Sequence, residues 1–195
     1  MVEMNERVKP YASIIRAINI FRERGLKAIV EIGGMRQALN HEVDDTEHDC
    51  CQDGHSTYLW ARTGAWVRSV DIDLDCSRLA AATCRDWPRT AIYTMDGLLF
   101  LDENKAVIDL LYLDAWDVGE PLYQEKHLEA YNVAKRNMNE RGLILIDDTD
   151  VEMIDKEYFP VGTGNGGKGK LVIEQAHKDG WKILWTGRQT CLSLV

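Results

Sequence analysis

Short apolar runs, rich in β-branched residues, alternate along the chain with longer stretches whose apolar residues recur at helical spacing. Five such runs begin near residues 27, 66, 91, 106 and 142, and two more, WKILWTG and QTCLSLV, close the sequence. The helical spacing predicts helices at about 11–24, 56–63, 75–85, 97–103, 122–140 and 169–179. This alternation is typical of an α/β fold.

The two closing runs are joined by only three residues, 187–189. So short a link requires a hairpin, and the last strand must therefore run antiparallel to its neighbour. The earlier runs are joined by helical crossovers, which favour parallel strands. We therefore predict a Rossmann-like, seven-stranded, mostly parallel sheet with helices on both faces and one antiparallel strand near the C-terminus.

The length of 195 residues suits one domain, 1–195. Two segments have neither strand nor helix period, an acidic one at about 35–53 and a Gly-rich one at 161–169. We interpret the acidic segment as an insertion, either a lid over the ligand crevice or a solvated loop. The Gly-rich segment nearly matches a phosphate loop, but Gly169 replaces the required Ser or Thr, which favours a loop bordering the site.

Net charge narrows the range of partners. A formal charge of −9 and a pI near 5.0 disfavour binding to nucleic acid or to an anionic membrane surface, since both need clustered cations. Five cysteines without a CxxC pair, and no long apolar stretch, predict reduced thiols and a cytoplasmic location. We expect a small-molecule partner, and the oligomeric state stays open, a homo-oligomer included.

Carboxylates follow the predicted central strands. They are Glu31, Asp71, Asp96, Asp114 and the pair Asp147 and Asp148. Because the carboxyl ends of parallel strands meet at one edge of a sheet, we expect these acids to line one crevice. Converging carboxylates repel one another unless hydroxyl donors or a cation compensate, whereas isolated ones often only cap helices or form turns. The crevice is thus predicted to hold a hydroxylated or cationic ligand.

The first strand is followed by a glycine motif split by the insertion. Glu31 and Gly33 precede it, and Gly54, His55 and Ser56 follow it. Glu31, Gly33, Gly54 and Ser56 resemble the Glu-x-Gly-x-x-x-Gly-x-Ser motif of the O-methyltransferase branch of the class I S-adenosylmethionine-dependent methyltransferases. The resemblance implies that these residues bind the cofactor. His55 either contacts the methionine part of the cofactor or simply starts the next helix.

The resemblance continues along most of the chain. It implies that Asp71, after the second strand, accepts hydrogen bonds from the cofactor ribose, with Asp73 as the rival for that role. It also implies that Asp96 lies beside the adenine amine.

Two later motifs, YLDAWD and LIDDTD, resemble the metal-dependent small-molecule O-methyltransferases, the catechol and macrolide-sugar enzymes. By that resemblance Asp114, Asp147 and Asp148 bind Mg²⁺, which prefers such hard oxygen ligands. The alternative is that Asp147 and Asp148 only form a turn and a cap.

The catalytic base is less well defined. The catechol enzymes carry a lysine at the position of Asp117, so we predict Asp117 as base, with Asp114 sharing the task or a different substrate as alternatives. Trp116 either lines the substrate pocket or packs in the core.

The sequence thus predicts an enzyme that uses S-adenosylmethionine, with a divalent cation, to methylate a small-molecule hydroxyl. Three alternatives remain open: a metal-independent N- or O-methyltransferase, an NAD-dependent oxidoreductase, and a non-catalytic cofactor-binding protein. A G-x-G-x-x-G fingerprint, which an NAD enzyme would carry, is absent after Glu31.

Overall fold

A computed structural model describes residues 10–36, 55–154, 157–160 and 166–195 of the protein. Its strands are β1 Ala28–Ile32, β2 Trp66–Asp71, β3 Thr90–Thr94, β4 Ile108–Leu113, β5 Met138–Ile146, β6 Val151–Ile154, β7 Glu157–Pro160, β8 Lys182–Trp185 and β9 Thr190–Ser193. Its α-helices are α1 Pro10–Glu23, α2 Ser56–Ala61, α3 Leu74–Thr83, α4 Gly97–Glu103, α5 Tyr123–Ala134 and α6 Lys170–Lys178.

Seven strands form one sheet in the order β3-β2-β1-β4-β5-β9-β8, while β6 and β7 form a separate hairpin. Strands β1 to β5 are parallel, and β9 is antiparallel to both β5 and β8. The predicted seven-stranded sheet with one reversed strand is confirmed.

The strand order and register determine where the site lies. After β1 the chain proceeds outward through β2 and β3, then crosses to β4 on the other side of β1, so the switch point lies between β1 and β4. Ile32 pairs with Leu113, which in turn pairs with Ile146. The residues that follow these three, Gly33, Asp114 and Asp147, therefore leave the sheet side by side.

Hydrophobic layers cover both faces of the sheet. Helix α1 buries Ile14, Ala17, Ile18 and Phe21, whose spacing forms one apolar stripe. All six residues of β4 are buried, as expected for a central parallel strand covered on both faces. The opposite layer comes from α5 and α6, through Ala130, Tyr131, Ala134, Val172, Ile173 and Ala176.

The structure differs from the predicted secondary structure in two places. The helix expected at 122–140 ends at Ala134, and a 3₁₀ turn leads into β5 at Met138. Side chains of Asn137 and Asn139 donate hydrogen bonds to the Asn104 carbonyl and the Asp109 carboxylate, and these contacts hold the chain in the sheet. The β6–β7 hairpin was not predicted.

Candidate active site

A cavity of about 320 Å³ opens at the carboxyl ends of the strands around the switch point. The predicted cofactor residues that line it are Gly33, Asp71, Asp73 and Asp96. Ala115 and Trp116, from the loop after β4, form part of its wall. The structure therefore brings these predicted residues together, and Trp116 lines the cavity.

The three aspartates of the cavity also organise its backbone. Asp71 accepts hydrogen bonds from the backbone N–H of Gly34 at 2.7 Å and of Asp73 at 2.8 Å, which ties the turn after β1 to β2. Asp73 and Asp96 cap α3 and α4 by accepting backbone N–H bonds through Oδ1. Asp73 and Asp96 thus cap helices, which was the alternative role predicted for such acids, and they also line the cavity.

Gly33 is required by the close approach of two loops. Its φ of +92° lies in the region that favours glycine, and a Cβ there would lie 2.6 Å from the carbonyl carbon and oxygen of Asp114. Any side chain at this position would push the loop after β4 away from the turn after β1.

The prediction that all the strand-end acids line one crevice is wrong. Asp71 and Asp96 line the cavity, whereas Asp114, Asp147 and Asp148 do not. Glu31 does not line it either and is fully buried. Its carboxylate accepts hydrogen bonds from Ser56, Thr57, Ser69 and Trp60 at 2.5–3.1 Å. Glu31 therefore holds α2 against β1 and β2, and the adjacent His55 and Ser56 are buried with it.

Gly54 and most of the predicted insertion, residues 37–54, lie outside the described residues.

Burial of Glu31 predicts a measurable pH dependence of stability. Burial raises its pKa from 4.5 to about 7, although the hydrogen bonds from Ser56, Ser69 and Thr57 oppose the shift. The unfolded chain then binds fewer protons than the folded protein between these two pH values, so the contribution of Glu31 falls as pH rises through that window. Relative to Glu31→Gln, the wild type should lose roughly 3 kcal/mol of unfolding free energy across it. Urea unfolding of both proteins at pH 4.5 and at pH 7 measures this difference. An equal change in unfolding free energy between the two pH values in both proteins would contradict it.

The three predicted metal ligands do converge. Asp114, Asp147 and Asp148 each offer one carboxylate oxygen, and these oxygens lie within 4.8 Å of one another. We call this set the carboxylate cluster. Asp147 is buried, and its Oδ1 has no hydrogen-bond partner among the described residues. Burial raises the pKa of Asp147 well above its ordinary value, and the neighbouring Asp114 and Asp148 raise it further.

Two cations that the sequence reasoning missed contact the cluster. Lys168, whose side chain is 1% exposed, places Nζ 2.8 Å from Asp114 Oδ1 and 3.2 Å from Asp148 Oδ2. Arg188 places Nε 3.2 Å from Asp148 Oδ1 and Nη2 3.9 Å from Asp147 Oδ2. Burial lowers the pKa of Lys168, but the carboxylates outweigh it and hold the pKa above its ordinary value. Lys168 is therefore an ammonium at neutral pH.

Backbone contacts hold Lys168 in place. Its N–H donates to the Asp148 carbonyl at 3.2 Å, and the N–H of Gly166 donates to the Thr149 carbonyl at 3.1 Å. Gly167 has a φ of +52°, and a Cβ there would overlap the Asp148 carbonyl oxygen. The end of the Gly-rich segment is thus packed directly against the turn that carries the cluster, as expected for a loop bordering the site.

Asp117, the predicted base, is paired with the Arg36 guanidinium. Both its oxygens accept from Arg36, at 2.7 and 2.9 Å. The Arg36 hydrogen bonds lower the pKa of Asp117, opposed by burial and assisted by Lys168. A carboxylate with a lowered pKa is a weaker proton acceptor, so this geometry disfavours Asp117 as the base.

The donor set fits a hard divalent cation. Carboxylate oxygens are the ligands that Mg²⁺ prefers, and the unpartnered Asp147 Oδ1 supplies a buried oxygen directed at no protein donor among the described residues. Asp148, a member of this set, has a φ value of +46°, and Trp116, on the loop that begins at Asp114, has a φ value of +45°. Such backbone conformations in non-glycine residues are concentrated at functional sites.

The fold of this chain is shared with proteins of solved structure. No family of protein sequences matches the chain, and no curated protein matches it either. Solved structures do match. A putative O-methyltransferase from Klebsiella pneumoniae has a TM-score of 0.61 at 13% identity, covering 93% of this chain and 79% of that one.

Two further solved structures are complexes with SAM or SAH. An O-methyltransferase from Bacillus cereus, in complex with SAH, gives a TM-score of 0.61 at 12% identity and covers 97% and 83% of the two chains. The O-methyltransferase TomG from Streptomyces achromogenes, in complex with SAM, gives 0.55 at 14% identity and covers 93% and 88%. At these identities the likeness demonstrates a common fold, which confirms at that level the resemblance predicted from the motifs.

The described helices include none with the length and apolar character needed to cross a bilayer.

Proposed function

We propose that the protein is an S-adenosylmethionine-dependent methyltransferase that transfers the methyl group to a hydroxyl oxygen of a small molecule, assisted by a divalent cation such as Mg²⁺. One observation carries the proposal. The cavity lined by Gly33, Asp71 and Asp96 shares its Ala115–Trp116 wall with the loop that begins at Asp114 of the carboxylate cluster. A cofactor site and a chemically reactive cluster are therefore adjacent.

The cavity supports the cofactor half of the proposal. Its volume lies in the range typical of small-molecule sites, and it sits at the switch point where such folds bind ligands. Asp71, Asp73 and Asp96 line the cavity. We assign Asp71, with Asp73 as the rival, to accept hydrogen bonds from the ribose hydroxyls, and Asp96 to accept from the adenine amine. Gly33 lets the loop after β4 approach the turn after β1, and so shapes the cavity that it lines.

The carboxylate cluster supports the chemical half. Methyl transfer breaks the sulfonium carbon–sulfur bond and forms a carbon–oxygen bond, while the hydroxyl proton leaves to a base. Asp114 lies on the loop that continues into the cavity wall, and Lys168 contacts it through Oδ1, so Oδ2 remains to accept the proton. Both oxygens of Asp117 accept from Arg36, and we therefore assign Asp114 as the base in place of Asp117. Asp114, Asp147 and Asp148 would hold Mg²⁺, which when bound supplies positive charge to the developing alkoxide.

A labelled-cofactor screen tests the proposal. The purified protein is incubated with methyl-labelled S-adenosylmethionine and matched panels of catechols, phenols, sugar hydroxyls and amines, each with Mg²⁺ and with EDTA. We expect label in an acceptor that carries a hydroxyl, and a lower rate in EDTA. Transfer to amines alone would contradict the oxygen acceptor, and equal rates with EDTA would contradict the role of the cation.

A further inference from the structure

The carboxylate cluster already has a cation of its own. Among the described residues, Lys168 is the positively charged group closest to it. Its ammonium contacts carboxylates on both the loop after β4 and the turn after β5. It also lies 3.6 Å from Asp117 Oδ1 and 3.3 Å from the Asp114 carbonyl oxygen. One ammonium therefore offsets part of the negative charge in the region in which a metal ion would be held.

We propose that the Lys168 ammonium is the resident counter-ion of the carboxylate cluster and competes with a divalent cation for it, so that Lys168 sets how tightly the protein binds metal. The inference deepens the proposed function and rests on it only for the binding of a metal at this cluster.

Geometry brings the two cations close together. A Mg²⁺ ion bonds its oxygen ligands at about 2.1 Å. Nζ lies 2.8 Å from Asp114 Oδ1, so an ion bonded to that oxygen would lie within about 5 Å of the ammonium. Two like charges this close in a buried site repel strongly. The ammonium therefore opposes the binding of a metal at the cluster.

The lysine is held at the cluster and is not a solvated surface side chain. Its side chain is 1% exposed, and the Gly167–Gly169 turn fixes its backbone against Asp148 and Thr149. A Cβ at Gly169 would lie 2.6 Å from Thr149 Cγ2, so this approach depends on glycine on both sides of Lys168. Displacing the ammonium would thus work against a preformed arrangement.

Arg188 does not fill the same role. It contacts Asp148 through Oδ1 and approaches Asp147 Oδ2 only at 3.9 Å. It shares no carboxylate oxygen with Lys168 among these contacts. A metal that competes with Lys168 for its oxygens therefore leaves the Arg188 contacts in place.

The test measures metal binding directly, without cofactor or acceptor. Free Mn²⁺ is counted by electron paramagnetic resonance in titrations of the wild type, Lys168→Met, Lys168→Arg and Lys170→Met. Lys170 is a matched control, because it is 44% exposed and pairs with Glu152 outside the cluster. We expect Lys168→Met to bind Mn²⁺ at least tenfold more tightly than the wild type, and the other two variants to bind like the wild type.

Equal or weaker Mn²⁺ binding by Lys168→Met would overturn the proposal, and so would an equal gain in Lys170→Met. Lys168→Gln, which retains a hydrogen-bonding head group, provides the same comparison if the methionine variant fails to fold. Calorimetric binding of S-adenosylmethionine to the same proteins is recorded separately. Absence of S-adenosylmethionine binding by the wild type would count against the proposed function. An Mn²⁺ affinity of Lys168→Met equal to that of the wild type would count only against the role of Lys168.

Discussion

The double variant Asp147→Asn, Asp148→Asn should transfer methyl groups at least about 100 times more slowly than the wild type, while S-adenosylmethionine binds almost as well. The reason is the position of the two carboxylates. Both belong to the carboxylate cluster, and neither lines the cofactor cavity. Under the proposed function, their loss removes the charge that would hold Mg²⁺ beside the acceptor.

A charge-matched control distinguishes this effect from a general electrostatic one. Asp75→Asn with Asp102→Asn removes the same two negative charges from side chains that are 91% and 67% exposed. This control should keep wild-type turnover. The comparison is made by steady-state kinetics with the acceptor identified in the labelled screen, together with calorimetry of the cofactor. Wild-type turnover in the Asp147, Asp148 double variant would contradict the role of the cluster.

The substitution Gly167→Ala should lower the unfolding free energy by about 3 kcal/mol or more. Alanine at a φ of +52° costs roughly 1–2 kcal/mol, and the overlap of its Cβ with the Asp148 carbonyl oxygen adds the cost of moving a packed turn. The displaced turn carries Asp148 and holds Lys168, so the variant should also lose turnover.

Gly25 provides the matched control for this substitution. Its φ is +67°, but a Cβ at Gly25 would meet no other atom within 4 Å. Gly25→Ala should therefore cost only the backbone term, about 1–2 kcal/mol, and should leave turnover unchanged. Urea unfolding measures both variants. Equal destabilisation by the two substitutions would show that the contact between Gly167 and Asp148 does not constrain the site.

Much of the fold could be predicted because each signal is local. Mostly apolar runs such as IDLLYL at 108–113 indicate buried parallel strands, and the three-residue link at 187–189 dictates the antiparallel pair. The convergence of Asp114 with Asp147 also followed, because residues after neighbouring parallel strands emerge at one edge.

Other parts of the site depend on tertiary contacts that spacing does not encode. Lys168 is 54 residues from Asp114 in sequence and reaches it only because two glycines allow the chain to pack against the Asp148 turn. Its only local signal was a Gly-Lys-Gly tripeptide in a glycine-rich segment. Glu31 was misjudged for a related reason: β1 continues to Ile32, so the Glu31 side chain still lies within the layers of the fold.

Calorimetric titration of the purified protein with S-adenosylmethionine, with NAD as the control ligand, tests the central claim most directly. The proposed function predicts saturable binding of S-adenosylmethionine or its demethylated product, at micromolar concentrations typical of enzyme substrates, and no binding of NAD. Binding of NAD in place of S-adenosylmethionine, or of neither ligand, would contradict the assignment and leave only the common fold.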